Sequence, residues 1–206
     1  MLFNILALIS LLFVIAILKR FASILPLAAA CMFRWKENVN IDTSLRLRTE
    51  RDLTAAALLI PFCLLSARLR LYSPDFMAGM SDNAILGITA GVFVCYILMR
   101  SAMIAAVRPR KMASGIYHAA TSTEHTFFIL LTCVLLTTGG VLSLFDVSPE
   151  ALRHAMFWIS GAIYLVFLLR KLQIFASCCN LFVSFLYLCA LEILPTGVLI
   201  ASAVIF

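Results

Sequence analysis

This sequence is short of charge. Only 13% of its 206 residues are Asp, Glu, Lys or Arg, where a soluble domain carries about 25%. Apolar residues make up 64%, against about 45–50% in soluble domains. Such a chain cannot cover a water-facing surface with polar groups, which excludes an ordinary soluble domain and calls for a solvent that is itself apolar. Acidic residues are the scarcer sign, ten against sixteen basic ones, for a net charge of +6. The basic residues gather in short clusters between apolar runs instead of spreading over a surface. That pattern speaks against nucleic-acid binding and suits loops facing anionic lipid head groups.

Chemical motifs are missing as well. No C-x-x-C or zinc-type Cys/His spacing occurs, and no H-E-x-x-H, nucleophile elbow, P-loop or dinucleotide fingerprint. No enzymatic activity and no cofactor is therefore expected. The seven cysteines (Cys31, Cys63, Cys95, Cys133, Cys178, Cys179 and Cys189) sit mostly inside apolar runs, where a thiol behaves as a small hydrophobe.

What remains is a series of apolar segments, each near the roughly 20 residues that a bilayer core requires. They are Leu2 to Leu18, Leu53 to Tyr72, Asn83 to Val107, Thr126 to Phe145, Ala155 to Leu172 and Leu181 to Ile205. The expected fold is all-α, a polytopic transmembrane helical bundle of about six spans with no soluble domain, residues 1–206 forming one integral membrane domain. The first segment carries its charges, Lys19 and Arg20, after the apolar run, so it reads as an uncleaved anchor and not as a secretory signal. Phe21 to Phe33 is apolar but short and interrupted by Pro26; it reads as an interfacial continuation of the first helix. Arg34 to Asp52 is the longest polar stretch, read as a basic cytoplasmic loop with a helix start at Asp42-Thr43-Ser44. Arg46, Arg48 and Arg51 within it are candidates for a docking surface.

Thirteen Lys and Arg residues fall on one side of these spans and three (Arg68, Arg70 and Arg153) on the other. The richer side, which includes Arg170 and Lys171 after the fifth span, is expected to be cytoplasmic, with both termini outside.

Glu192 is the strongest functional candidate. It lies near the middle of the sixth span, where a charged side chain costs about 2.5–3.5 kcal/mol on insertion scales. A basic partner, proton carriage or ion binding would offset that cost. Pro195 cannot donate to the carbonyl of Leu191, which frees a backbone acceptor beside Glu192 and predicts a kink. Arg100, inside the third span, can reach inward to Glu192 or snorkel outward to the head groups. If the two pair, the third and sixth spans are neighbours. Gly87 and Gly91, four apart, with Ala84 and Cys95 extend a small-residue row of the kind that lets helices approach closely. His118 and His125, seven apart, would share a face of a continuous helix and could ligate haem or metal; as interfacial polar residues they need no ligand.

The run Phe185-Leu-Tyr-Leu-Cys-Ala-Leu-Glu-Ile-Leu-Pro195 resembles the closing signature of an uncharacterised family of Bacteroidota inner-membrane proteins, a domain of unknown function. The N-terminal anchor ending in Lys-Arg and the Arg-rich segment entering the second span are similar in pattern. The segments His118 to Thr123 and Cys178-Cys179 depart from it. The resemblance implies a bacterial inner membrane, places Tyr187, Glu192 and Pro195 in the characteristic segment, and implies no activity.

These features lead to a non-enzymatic subunit or scaffold of a larger inner-membrane complex, such as one serving protein export or envelope biogenesis, with other integral membrane proteins and anionic lipid head groups as partners. The alternative is a small proton-coupled transporter using Glu192, and a weaker one is a haem-binding membrane protein.

Overall fold

A computed structural model of the chain describes residues 2–72, 74–77, 79–106, 114–145, 147–178 and 180–205. These residues are helical nearly throughout, and no strand occurs among them. The reason is the solvent: hydrocarbon offers backbone N–H and C=O groups no partner, and a helix satisfies them within one segment.

Helix α1 (Leu2–Phe33) runs unbroken through Lys19, Arg20 and Pro26. At 1.5 Å per residue its 32 residues reach about 48 Å, well beyond the ~30 Å of a hydrocarbon core. The stretch from Phe21 to Phe33 is thus helical and continuous with the anchor. Its Ile24 and Ala28 are fully buried against Ala55, Leu58, Ile129 and Leu130.

The expected loop over Arg34–Asp52 is instead two helices, α2 (Trp35–Thr43) and the beginning of α3 (Leu45–Arg68). Ser44 between them is extended, where the Asp-Thr-Ser run predicts a helix start. The polar composition suggested solvent exposure, but α2 buries Asn38 and Ile41 and α3 buries Arg51. Tertiary partners, invisible to local propensity, hold this stretch in helices.

Helix α3 ends at Arg68, short of the expected Tyr72. The N–H of Arg70 bonds the carbonyl of Ala67 at 3.2 Å and that of Leu71 bonds Ser66 at 3.0 Å. Arg70 itself has φ +48°. This is a Schellman stop with arginine where glycine is usual.

Helices α4 (Asp82–Ala106), α5 (Ser114–Leu144) and α6 (Pro149–Ala176) follow. The last helical rod is α7 (Leu181–Leu188), a π-helical turn (Cys189–Ile193) and α8 (Leu194–Ile205). Among the described residues, five helical stretches are long and apolar enough to cross a membrane: Ile5–Phe33, Asp82–Ala106, Tyr117–Leu144, Pro149–Ala176 and Leu181–Ala203. The protein therefore has the character of a multi-pass membrane protein. Helix α3 is not among the five, because Arg46, Arg48, Glu50, Arg51 and Asp52 occupy its first two turns.

Helix α5 packs on α1, α2, α3 and α6. Phe62 of α3 meets Phe93 of α4 and Phe128 of α5 edge-on, with centroids 5.0 and 5.1 Å apart, a favoured aromatic geometry. The outward faces carry Leu8, Leu12, Trp158, Leu165, Phe182 and Ile200, all exposed, which suits a hydrocarbon solvent.

Candidate functional site: a buried charge cluster around Glu192

Pro195 has no N–H to give the carbonyl four residues back. The helix answers just before it by widening: the N–H of Leu194 reaches the carbonyl of Cys189, closing a π turn over Cys189–Ile193. Such turns concentrate at functional sites. The structure thus has a π turn at the place where the sequence predicts a kink. Glu192 sits in this turn, 1% exposed. The phenol of Tyr164 on α6 donates to the backbone carbonyl of Glu192 at 3.2 Å, supplying a partner to this irregular stretch of backbone. Nearby, the hydroxyls of Tyr96 and Thr196 pair at 3.2 Å.

Two cations hold the carboxylate. Arg100 on α4 forks onto it, with Nε 3.1 Å from Oε2 and a terminal nitrogen 2.5 Å from Oε1. Two parallel N–H bonds of this kind are stronger and more directional than one. Lys171 on α6 donates to the same Oε1. The other terminal nitrogen of Arg100 pairs with Glu124 on α5. Two cations and two carboxylates therefore neutralise one another inside the bundle, and α4 and the π turn are neighbours as an Arg100–Glu192 pair requires.

Lys171 was hidden in the sequence by Arg170, because the pair reads as a loop cluster after the fifth span. In the structure α6 continues to Ala176, and neighbours on a helix point about 100° apart. Arg170 turns outward, donating to the carbonyl of Met32 at 2.8 Å and to Gln173 at 2.7 Å. Lys171 turns inward and is wholly buried, between Phe167 and Phe175 whose ring centroids lie 5.6 and 6.0 Å from its ammonium. The spacing Ile163, Phe167, Lys171, Ile174 marks the inner stripe of the helix, and reading it would have found the lysine.

A second group of charges adjoins the first. His125 stands between them, its Nε2 3.6 Å from Glu124 and its Nδ1 2.8 Å from Asp52. Arg51 donates through Nε to Asp52 at 3.0 Å, through one terminal nitrogen to Asp42 at 3.2 Å and through the other to Ser122 at 3.2 Å. Ser122 in turn donates to Asp42 at 3.1 Å, and His118 Nδ1 lies 2.8 Å from the other oxygen of Asp42. Burial works against ionisation of Asp52, but the hydrogen bond with His125 and the charge of Arg51 outweigh it and hold the carboxyl down at about 2. Arg51, expected on an exposed docking face, is thus an internal tie of α3 to α2 and α5. Arg46 remains outside, paired with Glu50 at 3.0 Å. Arg48 is half-buried.

No protein-family model, curated protein or solved structure matches the chain. The chemistry therefore rests on this geometry. Arginine keeps its proton at any physiological pH. A chain of contacts that passes through Arg100 between Glu192 and Glu124, and again through Arg51 between Asp52 and Asp42, is a charge ladder and not a line of exchangeable protons.

The remaining candidates lie apart from the cluster. Tyr187 stacks on Phe175 at 6.2 Å. Gly87 and Gly91 face away from the bundle, where an added Cβ would meet nothing within 4 Å, and Ala84 and Cys95 are exposed beside them. His118 and His125 do lie on one continuous helix, but each ring faces a carboxylate of α2 or α3. Among the described residues no group of three or more His, Cys, Asp or Glu side chains is placed to hold a metal ion. Cys179, Arg108, Arg110 and Lys111 lie outside the described residues.

Proposed function

We propose that the chain is a non-enzymatic subunit or scaffold of a larger membrane assembly, whose partner helix lies on the outward face of α4. It crosses the bilayer six times, with α3 contributing the shortest span, both termini outside and the basic ends of the helices at the cytoplasmic side. Arg51, Arg100 and Lys171 are buried and so leave the loop count, yet ten cations still oppose three, which keeps the orientation. A bacterial inner membrane is the setting that the Phe185–Pro195 resemblance implies.

The observation that carries this reading is the uncovered small-residue row. Inside the molecule a small residue serves close packing: a Cβ at Gly139 would stand 3.0 Å from the terminal methyl of Met156. At Gly87 and Gly91 the same smallness has no partner among the described residues. Rows of this kind let membrane helices approach at short range. Arg100, Lys171 and Glu192, for their part, are buried and neutralised internally together with Glu124.

Native-level expression, mild solubilisation and thiol cross-linking from Cys95 test the proposal. We expect a discrete adduct with another integral membrane protein, lost in Gly87→Leu/Gly91→Leu while the thermal stability of the chain itself is unchanged. Recovery of a stable, partner-free species with no adduct contradicts it.

The π turn and the buried carboxylate favour a second reading, a proton-coupled carrier using Glu192, because intramembrane ionisable groups so often mark transport paths. The arginine in the ladder weighs against it. Proton flux in liposomes that Glu192→Gln abolishes would establish the carrier, and absence of flux would remove its support.

A further inference from the structure

A groove of about 550 Å³ lies between α1 and the first turns of α3, lined by Arg20, Leu45, Arg46, Thr49, Glu50 and Leu53. Its rim is basic. Arg46 is exposed, and Arg20 makes no ion pair among the described residues. Its remaining surface is largely apolar and open: Leu45 is 78% exposed and Leu53 45%. Arginines alone would suit any small anion, and leucines alone any hydrocarbon. One groove offering both suits an amphiphile with an anionic head.

The charge count narrows the head group. Glu50 accepts from Arg46 at 3.0 Å and from Ser23 at 3.0 Å, and these bonds hold its carboxyl below the usual carboxylate range. Two arginines and one glutamate leave the groove with a single net positive charge, the complement of one phosphodiester. The position agrees: Leu53 opens the apolar part of α3, and the charged residues of the groove stand just before it.

We propose that this groove binds one anionic phospholipid, its phosphate between Arg20 and Arg46 and an acyl chain along Leu45 and Leu53. The site uses the orientation argued above, in which this end of the helices meets the cytoplasmic head groups. It does not depend on any protein partner.

The test uses the full chain in nanodiscs of phosphatidylcholine doped with phosphatidylglycerol, followed by mild detergent exchange and native mass spectrometry. The expected result is one phosphatidylglycerol retained in preference to phosphatidylcholine. Arg20→Gln and Arg46→Gln should each lower that retention about fivefold, the effect of roughly one interfacial cation. Glu50→Gln should raise it, a gain that no folding defect can imitate. Arg34→Gln, which removes an equal charge elsewhere on the same side, should leave it unchanged, and millimolar inorganic phosphate should not displace the lipid. Equal retention of both lipids, indifference to the two arginines, an equal loss in Arg34→Gln or displacement by phosphate would each overturn the site. None of these outcomes bears on the Cys95 adduct, so the two proposals fail separately.

Discussion

A lysine with no exposed atom, inside a molecule whose outer surface is hydrocarbon-like, needs its charge met at close range. Lys171 has Glu192, and Glu192 has Arg100 as well. Replacing a buried ion pair by well-packed apolar residues is often neutral or stabilising, whereas removing one partner leaves a stranded charge. The cluster is thus better understood as a device that fixes which helices meet than as a source of net stability. Asp52 in the neighbouring group makes a prediction about acid. Its carboxyl is held near 2 in the folded protein against an ordinary 3.8. Because the folded value is the lower one, its contribution is complete above about pH 4 and disappears as pH falls toward 2. The unfolding temperature, followed by tryptophan fluorescence, should therefore fall less between pH 4 and pH 2 in Asp52→Asn than in the parent chain; equal slopes would remove Asp52 from the acid response. Glu192 and Arg100 were legible in the sequence because each interrupts an apolar run. Lys171, Glu124, Asp42 and Asp52 were not, since each stands among other polar residues and only the fold reveals which way it turns.

At the scale of elements, the end of α3 is the clearest local device. Two backbone bonds close a Schellman stop around Arg70 at φ +48°, a conformation that costs a residue bearing a Cβ about 1–2 kcal/mol. Arg70→Gly should accordingly stabilise the protein by about 1 kcal/mol in thermal unfolding; a loss of stability would mean that the arginine side chain contributes more than the strained backbone costs. The π turn is the second device. The proline-induced break was readable from Pro195 alone, but its form was not, because a freed carbonyl can be answered by a kink, by water or by a wider turn. Helices α2 and the start of α3 look like a loop in the sequence for a different reason. Their polar residues bond to partners such as His118, Ser122 and His125, more than seventy positions away, and no local pattern records that.

Over the whole molecule, hydropathy made the helical, membrane-spanning character plain, because hydrocarbon admits few other solutions. The arrangement of the helices was legible only where two charges had to meet. The ladder from Lys171 to His118 joins α2, α3, α4, α5, α6 and the π turn at one end of the bundle, and among the described residues the small-residue row on the outward face of α4 stays uncovered. That division, charge satisfied within and association without, is the central claim. It is tested most directly by a double-mutant cycle on the unfolding free energy of Glu192→Gln, Lys171→Met and their combination. Each single change should cost about 3–5 kcal/mol. The pair should cost less than the two together, by about 1–3 kcal/mol. Costs that simply add, or singles without effect, would contradict an internal lock at Glu192.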